Sequence, residues 1–329
     1  DMAKFVYDID LKDTTAVDMA NKSYNDVAFP KQNMSTYTVG FAVSNQMLLD
    51  AANYGKGKYY TAGNSAELSA GLTDALNEIS SIAGSGGAGA SSSATLTTET
   101  RYYKTLYDPK DWRGTIEAYT LSASTGRILT KLWSTDTTVT PTANAATYQT
   151  YNTDSSAVVD LSYANVSTAQ KAVLDAGLTA PATGSTLVNW VKGTNSAGLR
   201  TRTVLLGDVV NSSLERLSQT DQLASSITGD SSYSAYLSSK TGMTSSLLVS
   251  GNDGLFHVLN ADTGAHRYGY LPSTLFPKLR VVANVDYATN DTHQFMVDGP
   301  ITVADAQISS NWNTLAVVGM GAGGRSLFS

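Results

Sequence analysis

The chain has 329 residues and no cysteine, and its 22 basic against 28 acidic side chains give a net charge of −6. Without thiols there is no disulfide, no thiol catalysis and no Cys-ligated zinc, and the acidic balance argues against nucleic acid, because phosphate backbones require a basic face. Hydrophobic residues make up 42% and charged residues 15%, so a core can be buried while the surface draws on Ser, Thr and Asn, as in an exported protein. No apolar run reaches the roughly 20 residues that cross a bilayer, and residue 1 does not open a signal peptide. The opening MAKFVYDIDL reads as the middle of a helix and the closing GGRSLFS as a strand without a partner. The chain is therefore expected to be a piece of a longer protein, since an open strand edge invites aggregation.

In chain order, TYTVGFAV (36–43) is uncharged and β-rich, as a buried strand of a parallel sheet would be. Met47, Leu48, Ala51 and Ala52 predict a short helix ending at Gly55, and KYYTA (58–62) a short edge strand or loop. Asn64 with Glu67 resembles a capping box, after which Leu68, Leu72, Ala75, Leu76 and Ile79 recur at helical spacing up to Gly84. Residues 1–83 thus read as α/β. GSGGAGASSS (84–93) is low in complexity and predicts a flexible linker over 84–94.

From about residue 95 the chain turns β-rich. WRGTIEAYTLSASTGRILTKLW (112–133) and GNDGLFHVLNADTG (251–264) share one plan, a turn, a strand and a Thr-Gly turn. Gly114 aligns with Gly254 and Gly126 with Gly264, while Trp112 and Trp133 bracket the first copy. Repeated hairpins of this kind predict a β-propeller, in which such tryptophans pack between blades. Between the copies, 134–165 has no strong period, and helices are expected at 167–177, with a Ser N-cap and a Gly stop, and at 186–193. The whole excursion, 134–199, is expected to be irregular, helical and exposed. RTRTVLLGDVVNSS (200–213) reads as a strand leading into a turn, and further strands are expected at 246–250, 255–260, 267–271, 280–285, 301–304 and 314–318. That density suits blades of four antiparallel strands.

LLGDVVNSS (205–213, with Gly207, Asp208 and Asn211), SGNDGLFHVLNADTG (250–264, with Asp253, Gly254, Asp262 and Gly264), Tyr270-Leu271-Pro272-Ser273, His293 followed by VDGP (297–300), and VVGMGAGGRSLF (317–328, with Gly321, Gly324 and Arg325) occur in that order. Together they closely resemble the propeller domain of the PilC/PilY family, large proteins associated with type IV pilus tips. WRGTIEAYTL fits the strand that opens that domain, and LVNWVKG followed by RTR fits the helix before LLGD. One departure is Leu214, where relatives usually place a proline. The first 83 residues look like the second half of a von Willebrand factor A domain. The architecture implied is multidomain: the end of an α/β A-like domain over 1–83, then, over 95–329, the mainly-β first blades of a propeller with a small helical insertion. The resemblance implies a bacterial cell-surface protein that binds minor pilins on one side and a host or abiotic surface on the other, without catalysis. It also implies calcium in the full-length protein. The family's acidic D-x-D-x-D-G loop has no match here, and the metal-binding half of an A domain is not included.

The sites that chemistry alone nominates are weak. GMGAGG (319–324) fits G-x-G-x-x-G, but a dinucleotide site needs a helix there and an acidic residue about 20 positions on, and Leu327 and Phe328 read as strand. Asp8, Asp10 and Asp13 cluster without the Gly turn and bidentate Glu of a calcium loop. Asn252 and Asp253 are candidate cation ligands, yet Asn-Asp-Gly is first a turn signal. Of His257, His266 and His293, none has a second His at zinc-ligand spacing. His257, inside an apolar run, reads as a hydrogen-bonded core residue, and Asp298 and Arg325 as structural polar contacts. Two rival functions stay open at this stage: a quinoprotein-dehydrogenase-like propeller enzyme using pyrroloquinoline quinone and calcium, disfavoured by the absent cysteine pair, and an outer-membrane assembly scaffold unrelated to pili.

Overall fold

The computed structural model describes residues 2–12, 17, 23–25, 31–65, 67–68, 71–72, 85–91, 100–124, 126–224, 231–287 and 293–329. The chain divides into two units, Asp1–Gly84 with Ser122–Leu129, and Ser85–Leu121 with Thr130–Ser329.

The first unit carries α1 (Met2–Asp8), β1 (Thr36–Phe41), α2 (Gln46–Tyr54) and β2 (Lys56–Ala62). Strands β1 and β2 pair in parallel, Thr38 opposite Tyr59 through Phe41 opposite Ala62. Parallel neighbours need a crossover, and α2 supplies it. Asn45 starts α2 by accepting the Met47 N–H at 2.8 Å, Gly55 ends it, and Ala52 is fully buried. The cap at Asn64 also forms: its Oδ1 accepts the Glu67 N–H at 3.0 Å, and Glu67 Oε2 accepts the Gly63 N–H at 2.6 Å. Beyond Leu72 the expected helix lies outside the described residues.

The second unit contains three sheets. Strands β3 (Ser85–Ser91), β4 (Arg101–Asp108), β5 (Arg113–Leu121) and β6 (Ile128–Ser134) form one, in that order. The segment expected to be a flexible linker is therefore, over 85–91, a strand paired antiparallel with β4. Ladder bonds come from the backbone, and this stretch has no proline to interrupt them. The second sheet runs β8-β7-β12-β11-β10-β9, with β7 (Thr147–Asn152), β8 (Ala157–Asp160), β9 (Glu215–Leu217), β10 (Ser246–Ser250), β11 (Phe256–Asn260) and β12 (His266–Leu271). Its β9–β12 part is a four-stranded antiparallel meander of the kind expected for a blade, with β10–β12 at the expected places and β9 where no strand was expected. The β7–β8 hairpin joins that meander through a parallel pairing with β12. The third sheet is β13 (Ile301–Ile308), β14 (Asn311–Gly319) and β15 (Leu327–Phe328).

Helices fill the connections. After the single turn α3 (Thr135–Thr138) come α4 (Thr168–Asp175) and α5 (Gly184–Val191), then α6 (Ser232–Ser239) and α7 (Phe276–Val282). Helix α4 has the expected Ser167 cap, closed into a capping box by Gln170. The excursion is less exposed than expected. Leu161, Val166, Leu174, Leu187, Val188, Trp190, Val191 and Leu199 all join the larger core cluster, together with Leu271, Phe276 and Met296. Burying each such side chain contributes about 1.5–3 kcal/mol, which makes the insertion part of the fold.

Two further expectations are corrected. Residues 280–285 lie in and after α7, because Pro277 presets the first helical turn and Phe276, Leu279 and Val282 are buried at helical spacing. Residues 200–213 are extended but form no strand of a sheet beyond a single bridge at Gly207. Their backbone groups bond one by one to several separate segments.

Candidate functional site

Those separate bonds make a polar seam that gathers the repeated motifs. The Gly114 N–H donates to the Leu206 carbonyl at 2.8 Å, the Asp208 N–H to Trp112 at 3.3 Å, and the Asn252 N–H to Asp208 at 3.0 Å. Such approach needs glycine: a Cβ on Gly114 would lie 2.0 Å from the Gly207 oxygen, and one on Gly207 would lie 2.4 Å from the Asp253 nitrogen. Side chains complete the seam. Asp253 Oδ2 accepts the Gly207 N–H at 3.0 Å and Asp208 Oδ2 accepts Asn252 Nδ2 at 2.8 Å. His293 Nε2 lies 2.9 Å from the same Asp208 oxygen, and Asn252 Oδ1 accepts the Met296 N–H at 2.9 Å. Asp298 takes both the backbone and the side-chain N–H of Asn211, at 3.1 and 2.7 Å. Four sequence motifs thus meet in one network, and a buried polar group is tolerated only when so paired.

A relay of rings continues inward from Asp253. Its carboxylate sits 3.1 Å from His257 Nε2, His257 Nδ1 sits 3.1 Å from His266 Nε2, and His266 Nδ1 sits 3.2 Å from the Tyr148 hydroxyl. The Tyr148 oxygen accepts Asn144 Nδ2 at 2.8 Å, and His266 also lies 3.2 Å from Asn144 Oδ1 through Nδ1 and 3.0 Å from the Tyr268 carbonyl through Nε2. Burial opposes ionisation of Asp253, but His257 and the N–H groups of Gly207 and Leu255 outweigh it and hold the carboxyl below its ordinary range. Burial, reinforced by neighbouring His257, pulls His266 down to about 3, and burial pushes the Tyr148 hydroxyl up to about 12. His266 is neutral at pH 7, which suits a hydrogen-bonded core better than proton transfer to a substrate.

The other nominated residues fall as follows. Trp133 is buried against the 262–264 turn, with Nε1 donating to the Ala261 carbonyl at 3.2 Å. Trp112 is half-buried and packs against the larger core cluster, its ring 3.9 Å from that of His293. Gly254 (φ +97°) and Gly264 (φ +72°) hold left-handed turn positions, and Gly126 closes the turn between β5 and β6. Asp262 pairs with Arg101 at 2.7 Å on the surface. Gly321 and Gly324 lie in the tight turn from β14 to β15, where Gly321–Gly323 forms a single 3₁₀ turn and no α-helix opens. Arg325 is exposed and makes no hydrogen bond or ion pair among the described residues, contrary to its expected structural role. Asp8 pairs with Lys4, Asp10 accepts the Lys12 and Gln32 N–H groups, and Asp13 lies outside the described residues. No group of three or more metal-ligating side chains comes together among the described residues. The oxygens of Asn252 and Asp253 accept the N–H groups of Met296, Gly207 and Leu255.

Sequence reading missed Asn144 and Tyr148, and set His266 aside once zinc was discounted. The signal was present: His257 and His266 flank one tight turn, so a hairpin places them on neighbouring strands.

Residues 206–329, which begin inside the seam and run through the third sheet, match the PilY1 beta-propeller domain family. A type IV pilus biogenesis factor PilY1 homolog of Xylella fastidiosa is 30% identical over 321 residues, covering 83% of this chain and 21% of the relative. The chain belongs to the PilC/PilY family. Two Pseudomonas aeruginosa proteins, each named type IV pilus biogenesis factor PilY1, are 28% and 27% identical over 239 and 329 residues, or 69% and 93% of this chain. The chain spans only 21–28% of the length of these relatives. No solved structure matches it. Within this family segment, the antiparallel meander and the third sheet are the propeller elements that the seam ties together.

Proposed function

We propose that the full-length protein serves type IV pilus biogenesis at the bacterial cell surface, and that it works by binding. The family assignment carries this reading, because relatives matching most of the chain are named pilus biogenesis factors. In this account the propeller is a rigid mount whose connections present contact residues. Minor pilins are the partners proposed on one side, and a host or abiotic surface on the other. Residues 1–83 are read as the end of a von Willebrand A-like domain. Partner contacts within 134–199 fall on its exposed turns, such as 153–156, since its helices face the core. A non-catalytic role is favoured because Asp253, His257, His266 and Tyr148 are hydrogen-bonded to one another inside the protein.

The test is to shear pili from cells expressing tagged full-length protein and to capture it with its bound proteins. Enrichment in the sheared fraction, with minor pilins co-purifying, is the expected result. A protein absent from that fraction and free of pilins would overturn the reading.

A further inference from the structure

Strand β14 is paired along one edge and largely open along the other. It faces β13 from Val318 opposite Ile301 to Asn311 opposite Ile308. On its second edge β15 meets only Val318 and Gly319. Main-chain groups of successive residues point to alternate edges of a strand. Gly319 donates to the Pro300 carbonyl and accepts the Gly299 N–H on the β13 side, while Met320 donates to the Ser326 carbonyl on the β15 side. Ala316, Thr314 and Trp312 therefore turn their N–H and C=O groups to the open edge. No main-chain group among the described residues meets them there. Proteins blunt an open edge with lysine, proline or an inward charge, or they cover it. Asn311–Gly319 reads NWNTLAVVG and carries none of the blunting residues.

Beside that edge lies a groove of about 370 Å³, lined from the second sheet by Phe256, Tyr268 and Tyr270 and from the third by Ala316, Val318 and Phe328. The Phe328 ring centre is 5.1 Å from that of Tyr270 and 6.2 Å from that of Phe256. No charged side chain among the described residues lines the groove, so its complement is apolar. Phe328 lies directly opposite Val318, and residues so paired share a face of the sheet. In the same register the residue after Ser329 falls opposite Ala316, on the groove face, where the small alanine leaves room. The chain spans only 21–28% of the length of its relatives, so the full-length protein has ample sequence to supply the missing strand.

We propose that in the full-length protein the residues following Ser329 continue β15 antiparallel along β14 to the level of Trp312, and that the first of them places an apolar side chain in the groove. The main chain supplies the attraction, because the N–H and C=O groups of Trp312, Thr314 and Ala316 gain partners, and the side chain in the groove fixes the register. The pairing does not depend on whether the protein works at a pilus.

Hydrogen exchange on the unmodified full-length protein reads the edge directly. The Thr314 and Ala316 amides should exchange at least about a hundredfold more slowly than in the unfolded chain, and exchange at the unfolded rate would overturn the pairing. A disulfide then identifies the occupant. In the proposed register Leu315 faces the second residue after Ser329, within disulfide reach. With Leu315→Cys and a cysteine at that second position, peptide mapping after oxidation should find the bond within one molecule. A bond formed only between molecules would assign the edge to a second copy. Protected amides without either bond, in a variant that circular dichroism shows to be folded, would assign it to a different segment or partner. Each of these overturns the proposal, as would a charged side chain directly after Ser329 in the full-length sequence. Should the double variant not fold, the exchange measurement and that residue's identity carry the test.

Discussion

Replacing His266 by Gln should flatten the acid side of the chain's stability profile. His266 is 5% exposed, and its pKa falls to about 3 through burial and the neighbouring His257, whereas an unfolded histidine titrates near 6.5. The folded state therefore refuses a proton that the unfolded state accepts. Stability is complete above about pH 6.5 and is lost progressively as pH falls toward 3. At pH 5 the unfolded chain gains about 1.5 pH units of proton binding over the native one. At about 1.4 kcal/mol per unit, that is roughly 2 kcal/mol lost relative to pH 7.5. Asp253, also lowered, acts with the same sign but in the carboxylate range, so His266 dominates at pH 5. The assay is urea unfolding at pH 7.5 and 5.0, followed by tryptophan fluorescence, since Trp133 and Trp190 are buried reporters. His266→Gln should be less stable at pH 7.5, because Tyr148 and His257 lose a partner, yet its pH 7.5-to-5.0 difference should shrink by about 2 kcal/mol. A variant with the full wild-type difference would refute the reasoning.

Three structural predictions accompany it. Gly207→Ala places a Cβ against the Asp253 backbone nitrogen, which cannot swing aside as a side chain can. It should cost about 1–3 kcal/mol in urea unfolding, and a neutral result would remove the close-approach argument. Lys240 and Asp305 form a buried pair at 3.2 Å, 4% and 0% exposed. Lys240→Met removes the carboxylate's counter-ion while Leu223, Tyr233 and Thr314 still donate to it, with an expected loss of about 3–5 kcal/mol, and a loss below about 1 kcal/mol would show the pair to be dispensable. Trp133→Ala empties the space against the 262–264 turn and removes the bond to Ala261. It should cost about 3–5 kcal/mol, read as a lower unfolding midpoint.

The sequence revealed most where one local rule decided the outcome. Alternation and turn residues located β10, β11, β12, β13 and β14, and the Ser167 cap located α4. It misled where two rules competed. Val281 and Val282 favour a strand by propensity, but Pro277 and the buried spacing of Leu275, Leu279 and Val282 favour α7, and tertiary burial decided. The 84–93 segment looked like a linker because composition describes side chains, while β3 pairs through its backbone. The β7–β8 hairpin was hidden in Thr- and Tyr-rich sequence whose alternation covers few residues, and its parallel partner β12 lies more than a hundred residues away. Within the seam, the glycines and Asp253 were legible as motif residues, but turn chemistry alone did not show that Gly114, Gly207 and Asp253 meet. Arg200 and Arg202 stood out only as part of the RTR motif, since an arginine in sequence reads as surface until burial is known.

The most direct test of the account is a count of surface pili, with twitching motility, in a strain deleted for the full-length gene. Loss or sharp reduction of pili, restored by the wild-type gene, is the expected result. Normal piliation and motility in a strain without a compensating paralogue would contradict a role in pilus biogenesis.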